Sequence, residues 1–89
     1  MGIRIYKKTP LRIAFGNIVR SKREDLHLTQ ESLAERADLN ANYVGSLERG
    51  ERNVGIEVIF KLAEALRTHP KNLLPDQTGG KIGMPGGGK

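Results

Sequence analysis

Hydrogen-bonding side chains cluster in the short run from Asn40 to Ser46. The carboxamide of Asn42 has the donor and acceptor pair that matches an adenine edge in the major groove of DNA. The hydroxyl of Ser46 can donate or accept, Ala41 suits contact with a thymine methyl, and Tyr43 offers a hydroxyl to a base or a phosphate. These residue types suit the reading of base edges only if they lie on the exposed face of a helix that enters the groove; the alternative for Asn42 is an ordinary solvated position on a helix.

Catalytic chemistry has little support in this chain. It contains no cysteine and two histidines, His27 and His69. Both lie at predicted helix boundaries, and neither has an acidic companion at a catalytic spacing. Capping or surface roles are expected for them, so the sequence predicts no enzyme, no metal site and no cofactor.

The charge distribution predicts a polyanionic partner. The formal net charge is +5, and the first 23 residues contain seven basic side chains and no acidic one. Such asymmetry favours nucleic acid or an acidic membrane, although a basic end can also have no partner. No apolar run approaches the ~18 residues of a membrane span, and no secretory signal is recognisable. We therefore expect a cytoplasmic protein without membrane association.

Capping residues divide the first half of the chain into three helices. Thr9-Pro10 predicts the start of a helix that runs to about Asp25, with an apolar stripe at Leu11, Phe15, Ile18 and Val19. Thr29 is the expected N-cap of a second, short helix with Leu33, Ala34 and Ala37 facing inward. Asn40 is the expected N-cap of a third helix over residues 41–48, and Gly50 supplies the left-handed residue that ends it.

Two more helices complete the predicted domain. A fourth is expected over residues 56–66, with Ile56, Ile59, Leu62, Ala63 and Leu66 on its apolar face. His69-Pro70 predicts a short fifth helix carrying Leu73 and Leu74. The prediction is thus an all-α, compact five-helix domain over residues 10–75, preceded by a basic arm over residues 1–9. Residues 76–89 are glycine-rich and are predicted to form a disordered tail.

The second and third predicted helices have the dimensions of a helix-turn-helix. A three-residue connection, Asp38-Leu39-Asn40, joins them, and their apolar residues are spaced to face one another. An ordinary helical hairpin is the alternative. In a helix-turn-helix, the second of the two helices enters the major groove and the first turn and a half contacts the bases.

Three runs of sequence resemble the lambda-repressor-like (Xre-type) helix-turn-helix family. They are Leu28-Thr29-Gln30-Glu31-Ser32-Leu33-Ala34-Glu35-Arg36-Ala37, Asn40-Ala41-Asn42-Tyr43-Val44, and Leu47-Glu48-Arg49-Gly50-Glu51-Arg52-Asn53. The resemblance covers roughly residues 11–74 and implies a lambda-repressor-like fold and a sequence-specific, double-stranded DNA-binding transcriptional regulator. Within that family, this short chain is most similar to controller proteins of restriction–modification systems or to small phage and plasmid repressors. Where the family usually has glycine, this chain has His27, Asp38 and Arg67, which predicts local strain.

The resemblance also implies roles for individual residues. It implies that Gln30 contacts a phosphate and braces the third helix, and that Arg20 and Glu48 form a buried structural salt bridge. The full set of predicted DNA-contacting residues is Thr29, Gln30, Asn40, Ala41, Asn42, Tyr43, Ser46, Arg49, Arg52 and Asn53. Arg49, Arg52 and Asn53 follow the third helix and are expected to meet the DNA backbone, or else to be solvated loop groups.

Assembly is predicted from the size of a regulatory DNA site. Two half-sites about one helical turn (~34 Å) apart require two copies of the reading helix, so a homodimer is expected. Leu73 and Leu74 are candidates for its interface or for the monomer core. The basic arm, with Arg4, Lys7 and Lys8, is a candidate for minor-groove contact, and its Ile3 and Ile5 for strand pairing between subunits. An antitoxin or transcriptional bridging module, with a protein as its main partner, is the alternative function.

Overall fold

The computed structural model describes residues 8–76, which form four α-helices and one 3₁₀ turn. The elements are α1 (Pro10–Asp25), α2 (Gln30–Ala37), α3 (Ala41–Glu48), α4 (Ile56–Ala65) and the 3₁₀ turn Pro70–Leu73. The all-α prediction is confirmed, but the fifth helix is a single 3₁₀ turn, because the two prolines at 70 and 75 leave too few residues for an α-helical ladder. Arg4, Lys7 and the predicted tail from residue 77 onward lie outside the described residues.

Side-chain caps start the first three helices where the sequence predicts them. Thr9 Oγ1 accepts a hydrogen bond from the backbone N–H of Arg12 at 3.1 Å, and Thr29 Oγ1 accepts one from Ser32 at 3.0 Å. Asn40 Oδ1 accepts from the N–H of Asn42 at 2.7 Å. Each cap pairs a backbone donor that the helix itself leaves unpaired. The bounds of α2 and α3 follow from these local bonds.

Each α-helix ends in a Schellman motif, in which the chain turns through a left-handed residue. Gly50, with φ 81°, serves α3, whereas His27, Asp38 and Arg67 adopt φ of 59°, 58° and 57° after α1, α2 and α4. The diagnostic backbone bonds run from Leu28 to Arg23, from Leu39 to Ala34, from Glu51 to Ser46 and from Thr68 to Ala63. A residue with a Cβ pays about 1–2 kcal/mol in this conformation. The predicted strain is therefore present at all three helix ends that lack glycine.

The core lies between α1, the pair α2–α3, and α4 closed by the 3₁₀ turn. Helix α3 packs on α1 and α2, and α4 packs on α2 and the turn. The largest fully buried side chains are Val19, Leu33, Val44, Leu47, Leu62 and Leu73. Leu73 is thus a core residue rather than an interface residue, while Leu74 is exposed.

Gly16 sets the distance between α1 and α3. A Cβ added there would lie 2.4 Å from the carbonyl oxygen of Leu47 and 2.6 Å from that of Glu48. The helices can approach this closely only because residue 16 has no side chain. This contact holds α3 against α1 at the C-terminal end of α3.

Two predicted core residues are on the surface instead. Leu11 is 49% exposed on the first turn of α1, and Ile56 is 69% exposed at the start of α4. Phe60, one turn after Ile56, is 57% exposed. The buried residues of α4 are Leu62, Ala63 and Ala65, with Ile59 partly buried beside them and Leu66 buried just after the helix. No helix in residues 8–76 is long and apolar enough to cross a membrane.

Candidate nucleic-acid interface

Helices α2 and α3 pack as the helix-turn-helix prediction requires. Leu33, Ala34 and Ala37 on α2 are buried in one cluster with Val44 and Leu47 on α3. Leu39, in the connection, packs partly buried against the same cluster. The small side chains of the two alanines allow the short helices to approach, and the left-handed Asp38 turns the chain between them.

A buried ion pair fixes the end of α3 to α1 and α2. Glu48 Oε2 accepts a hydrogen bond from Arg23 Nε at 2.8 Å, and Glu48 Oε1 accepts from Arg23 Nη2 at 3.1 Å and Gln30 Nε2 at 3.0 Å. Arg23 Nη1 also donates to the carbonyl oxygen of Leu28 at 2.8 Å. The side chains of Arg23 and Glu48 are only 11% and 3% exposed. The hydrogen bonds with Glu48 raise the pKa of Arg23, so the guanidinium stays charged.

The predicted partner of Glu48 was wrong. Arg20 pairs instead with Glu24 one turn along α1, at 3.2 Å, and these side chains are 61% and 56% exposed. The reason is the rotation of α1: Arg20 is one residue, or about 100°, around the helix from the buried Val19. Arg23 is four residues after Val19 and so continues the stripe of Phe15 and Val19 toward α3.

Gly45 leaves room for two polar side chains at the middle of α3. A Cβ added at Gly45 would lie 3.3 Å from both Gln30 Oε1 and Arg49 Nη1. Gln30 therefore reaches across α3 to Glu48, which supports its predicted bracing role. Gly45 itself is buried, so the space that it leaves lies inside the domain.

Arg49 forms a bidentate ion pair with Glu51 at the end of α3. Arg49 Nε donates to Glu51 Oε2 at 3.0 Å and Nη2 donates to Oε1 at 3.2 Å. The hydrogen bonds raise the pKa of Arg49 and lower that of Glu51. Any phosphate that Arg49 binds must compete with this carboxylate.

A third cluster joins α3 to the loop that follows it and consists of Tyr43, Ser46 and Arg52. Ser46 Oγ donates to the carbonyl oxygen of Tyr43 at 2.8 Å and accepts from Arg52 Nε at 2.9 Å. The guanidinium carbon of Arg52 lies 5.6 Å from the centre of the Tyr43 ring, within cation–π range. The residue following α3 by four positions is thus folded back onto the helix.

Residues 19–73, more than half of the chain, match the family described as Helix-turn-helix. The chain belongs to the helix-turn-helix family. It is 48% identical over 59 residues to control protein C.SmaI from Serratia marcescens, covering 66% of this chain and 70% of that protein. It is 42% identical over 65 residues to control protein C.BamHI from Bacillus amyloliquefaciens, covering 72% and 80% respectively.

A solved structure shows the same fold. The crystal structure of the restriction–modification controller protein C.AhdI from Aeromonas hydrophila superposes with a TM-score of 0.70 at 43% identity, covering 71% of this chain and 96% of that one. The family assignment makes this helix-turn-helix protein a sequence-specific regulator that binds double-stranded DNA, not an enzyme. Within the described residues, no group of acidic and histidine side chains could hold a metal ion.

The helix-turn-helix places most of the predicted contact residues around the start and end of α3. Asn40 and Asn42 are exposed on its first turn, with Ala41 and Tyr43 partly buried beside them. Thr29 and Gln30 lie at the start of α2, and Arg49, Arg52 and Asn53 follow α3. Their contacts with DNA remain predictions.

Ser46 does not lie where the sequence places it. It was expected on the exposed face of α3, but it is 5% exposed and both hydrogen bonds of its hydroxyl are made inside the protein. Sequence reasoning missed Arg23 as well, although its place on the Phe15–Val19 stripe was a usable signal.

Proposed function

We propose that this protein is a controller-type transcriptional regulator that reads the major groove of an operator with α3 and regulates its own gene. The observation that carries this proposal is the exposed Asn42 on the first turn of α3, a helix held in place by the buried Arg23–Glu48–Gln30 network. A short helix that reads DNA must be fixed rigidly, because a small displacement breaks hydrogen bonds to bases. The relatives named control proteins support the narrower class.

The proposed contacts divide into base contacts and backbone contacts. Asn42 pairs with an adenine, and Ala41 and Tyr43 contact neighbouring base edges. Gln30, with Thr29 at the start of α2, meets one strand, where the backbone N–H groups of a helix start favour a phosphate. Arg49, Arg52 and Asn53 meet the other strand and give the affinity its salt dependence. Since an operator in a bacterium lies in the cytoplasm, we propose that compartment for the protein.

Fluorescence anisotropy on the DNA upstream of the gene, against a scrambled duplex of the same composition, tests the proposal. We expect a preference of about 10³ or more for the upstream DNA. Asn42→Ala should lower this preference by about 10- to 100-fold, the size of one lost bidentate base contact. Asn17→Ala, an exposed asparagine on α1, is the matched control and should change nothing.

Two results would contradict the proposal. Weak binding without sequence preference, lost at higher salt, would indicate that a protein is the main partner of this fold. Strong sequence preference that survives Asn42→Ala unchanged would remove α3 from the role of reading helix.

We further propose that two copies associate through the outer face of α4. Ile56 and Phe60 expose apolar surface one turn apart, next to Pro70 at the start of the 3₁₀ turn. Glu57, Lys61 and Glu64 border this surface with charges of both signs, which suits contact between identical faces related by a twofold axis. The two copies of α3 in such a dimer would then each bind one half-site of the operator.

The mass of the protein in solution tests this interface. The double variant Ile56→Ser/Phe60→Ser should be monomeric in sedimentation experiments at concentrations where the wild type is dimeric. Leu74→Ser, which alters an exposed apolar residue away from this face, should leave the dimer intact. A dimer lost only on changing Leu74 would move the interface to the end of the 3₁₀ turn.

A further inference from the structure

Ser46 is a buried polar residue on α3. Its hydroxyl is hydrogen-bonded to Arg52, one of the arginines predicted to contact DNA. Its O–H group donates to the Tyr43 carbonyl oxygen at 2.8 Å, and its oxygen accepts from Arg52 Nε at 2.9 Å. The single donor of the hydroxyl is therefore used inside the protein, and burial keeps the group away from a base.

Arg52 is held in two ways by α3. Ser46 fixes its Nε atom, and the face of the Tyr43 ring lies 5.6 Å from its guanidinium carbon. A hydrogen bond controls the direction of the planar group and a cation–π contact controls its tilt. Together they fix a long side chain that otherwise loses much rotamer freedom when it binds.

The same contacts order Tyr43. Its backbone carbonyl accepts from Ser46, and its ring carries the guanidinium of Arg52. Tyr43 lies next to the exposed Asn42 on the first turn of α3, so Arg52 is brought from the following loop to the edge of the base-reading turn.

We propose that Ser46 is a positioning residue, which holds Arg52 against Tyr43 so that the two side chains meet the DNA as one preformed contact. This inference rests on the proposed DNA-reading role of α3. The acceptor on the DNA is one that pairs with a guanidinium group, either a phosphate or the O6 and N7 atoms of a guanine. Ser46 therefore affects recognition without touching DNA.

A double-mutant cycle measured by DNA binding tests the proposal. Ser46→Ala should weaken binding to the upstream DNA by about tenfold, the range of a hydrogen bond to a charged group. In the Arg52→Ala background, Ser46→Ala should have no further effect, because its action passes through the arginine. Ser46→Thr keeps the hydroxyl and should restore most of the affinity, and Ser21→Ala, an exposed serine on α1, is the control.

A structural role for Ser46 would give a different pattern. In that case Ser46→Ala would weaken binding equally with and without Arg52. The loss in free energy of unfolding, measured with urea, would then be as large as the loss in free energy of DNA binding. That result, or full affinity in Ser46→Ala, would overturn the inference. If the wild type itself shows no preference for the upstream DNA, the proposed function fails first, which separates the two failures.

The same variants show whether Arg52 binds a guanine or a phosphate. If Arg52 meets a guanine, Arg52→Ala and Ser46→Ala will reduce the preference over a duplex with that one base pair changed. If it meets a phosphate, they will weaken binding to upstream and scrambled DNA alike and reduce the salt slope by about one.

Discussion

Replacing Arg23 with methionine is expected to destabilise the protein strongly, whereas replacing Arg20 with alanine should have little effect. Methionine has nearly the length of the arginine stem but cannot donate hydrogen bonds. It would leave the carboxylate of Glu48, 3% exposed, with Gln30 Nε2 as its remaining donor. The carbonyl oxygen of Leu28 would lose its guanidinium donor too.

The size of the effect follows from burial. Removing one partner of a buried ion pair costs about 3–5 kcal/mol, while an exposed pair four residues apart on a helix contributes about 0.3–0.5 kcal/mol. At roughly 0.05–0.15 kcal/mol per residue, a domain of this size has a total stability of about 3–10 kcal/mol. Arg23→Met therefore removes from about a third to all of the stability.

Urea denaturation followed by circular dichroism at 222 nm measures this difference. With a slope of about 1 kcal/mol per molar urea, the midpoint of Arg23→Met should fall by roughly 3 M or the variant should be unfolded without urea. The double variant Arg23→Met/Glu48→Leu should recover most of the loss, because no unpaired charge remains buried. Equal effects of Arg20→Ala and Arg23→Met would refute the assignment of the ion pair.

Four further outcomes are expected. Gly16→Ala should cost about 1–3 kcal/mol by forcing α1 and α3 apart, measured by urea midpoint against Gly55→Ala, whose added Cβ meets nothing within 4 Å. Arg67→Gly should raise the free energy of unfolding by about 1 kcal/mol, and with it the urea midpoint, because glycine adopts φ 57° without strain; an unchanged midpoint would contradict this. Glu51→Gln should strengthen binding to scrambled DNA and steepen the salt slope by about one, because Arg49 becomes available to a phosphate; equal effects of the control Glu35→Gln, which changes an exposed carboxylate on α2, would show a general charge effect. Because the pKa of Glu51 is lowered, its stabilising contribution is fully present above the ordinary pKa of 4.5 and is lost as the pH falls through the lowered pKa. The urea midpoint of the wild type should therefore fall more steeply with decreasing pH than that of Glu51→Gln.

Helix boundaries could be predicted because their causes are local. Thr9, Thr29 and Asn40 each cap a helix with a hydrogen bond to a backbone N–H two or three residues away. Such a bond depends on the residue and its neighbours, not on the rest of the fold. The helix-turn-helix itself was predictable for the same reason, since the spacing of the apolar residues on α2 and α3 fits a short connection.

Residues whose roles depend on packing were harder to predict. Arg23 is distinguished from Arg20 only by the rotation of α1, which Gly16, Phe15 and Val19 fix against α3. Ser46 is buried because Arg52 folds back from the loop after α3. No local pattern specifies the path of that loop.

The three non-glycine residues at strained helix ends bear on how the recognition of this protein can be changed. His27, Asp38 and Arg67 are outside the predicted set of DNA-contacting residues, so glycine at these positions would add stability without altering the reading surface. Most substitutions that redirect a reading helix lower stability, and a small domain tolerates few of them. A variant with glycine at these three helix ends would tolerate a wider range of side chains at Asn42 and Tyr43. These turns are therefore the starting point for selecting regulators of new operators.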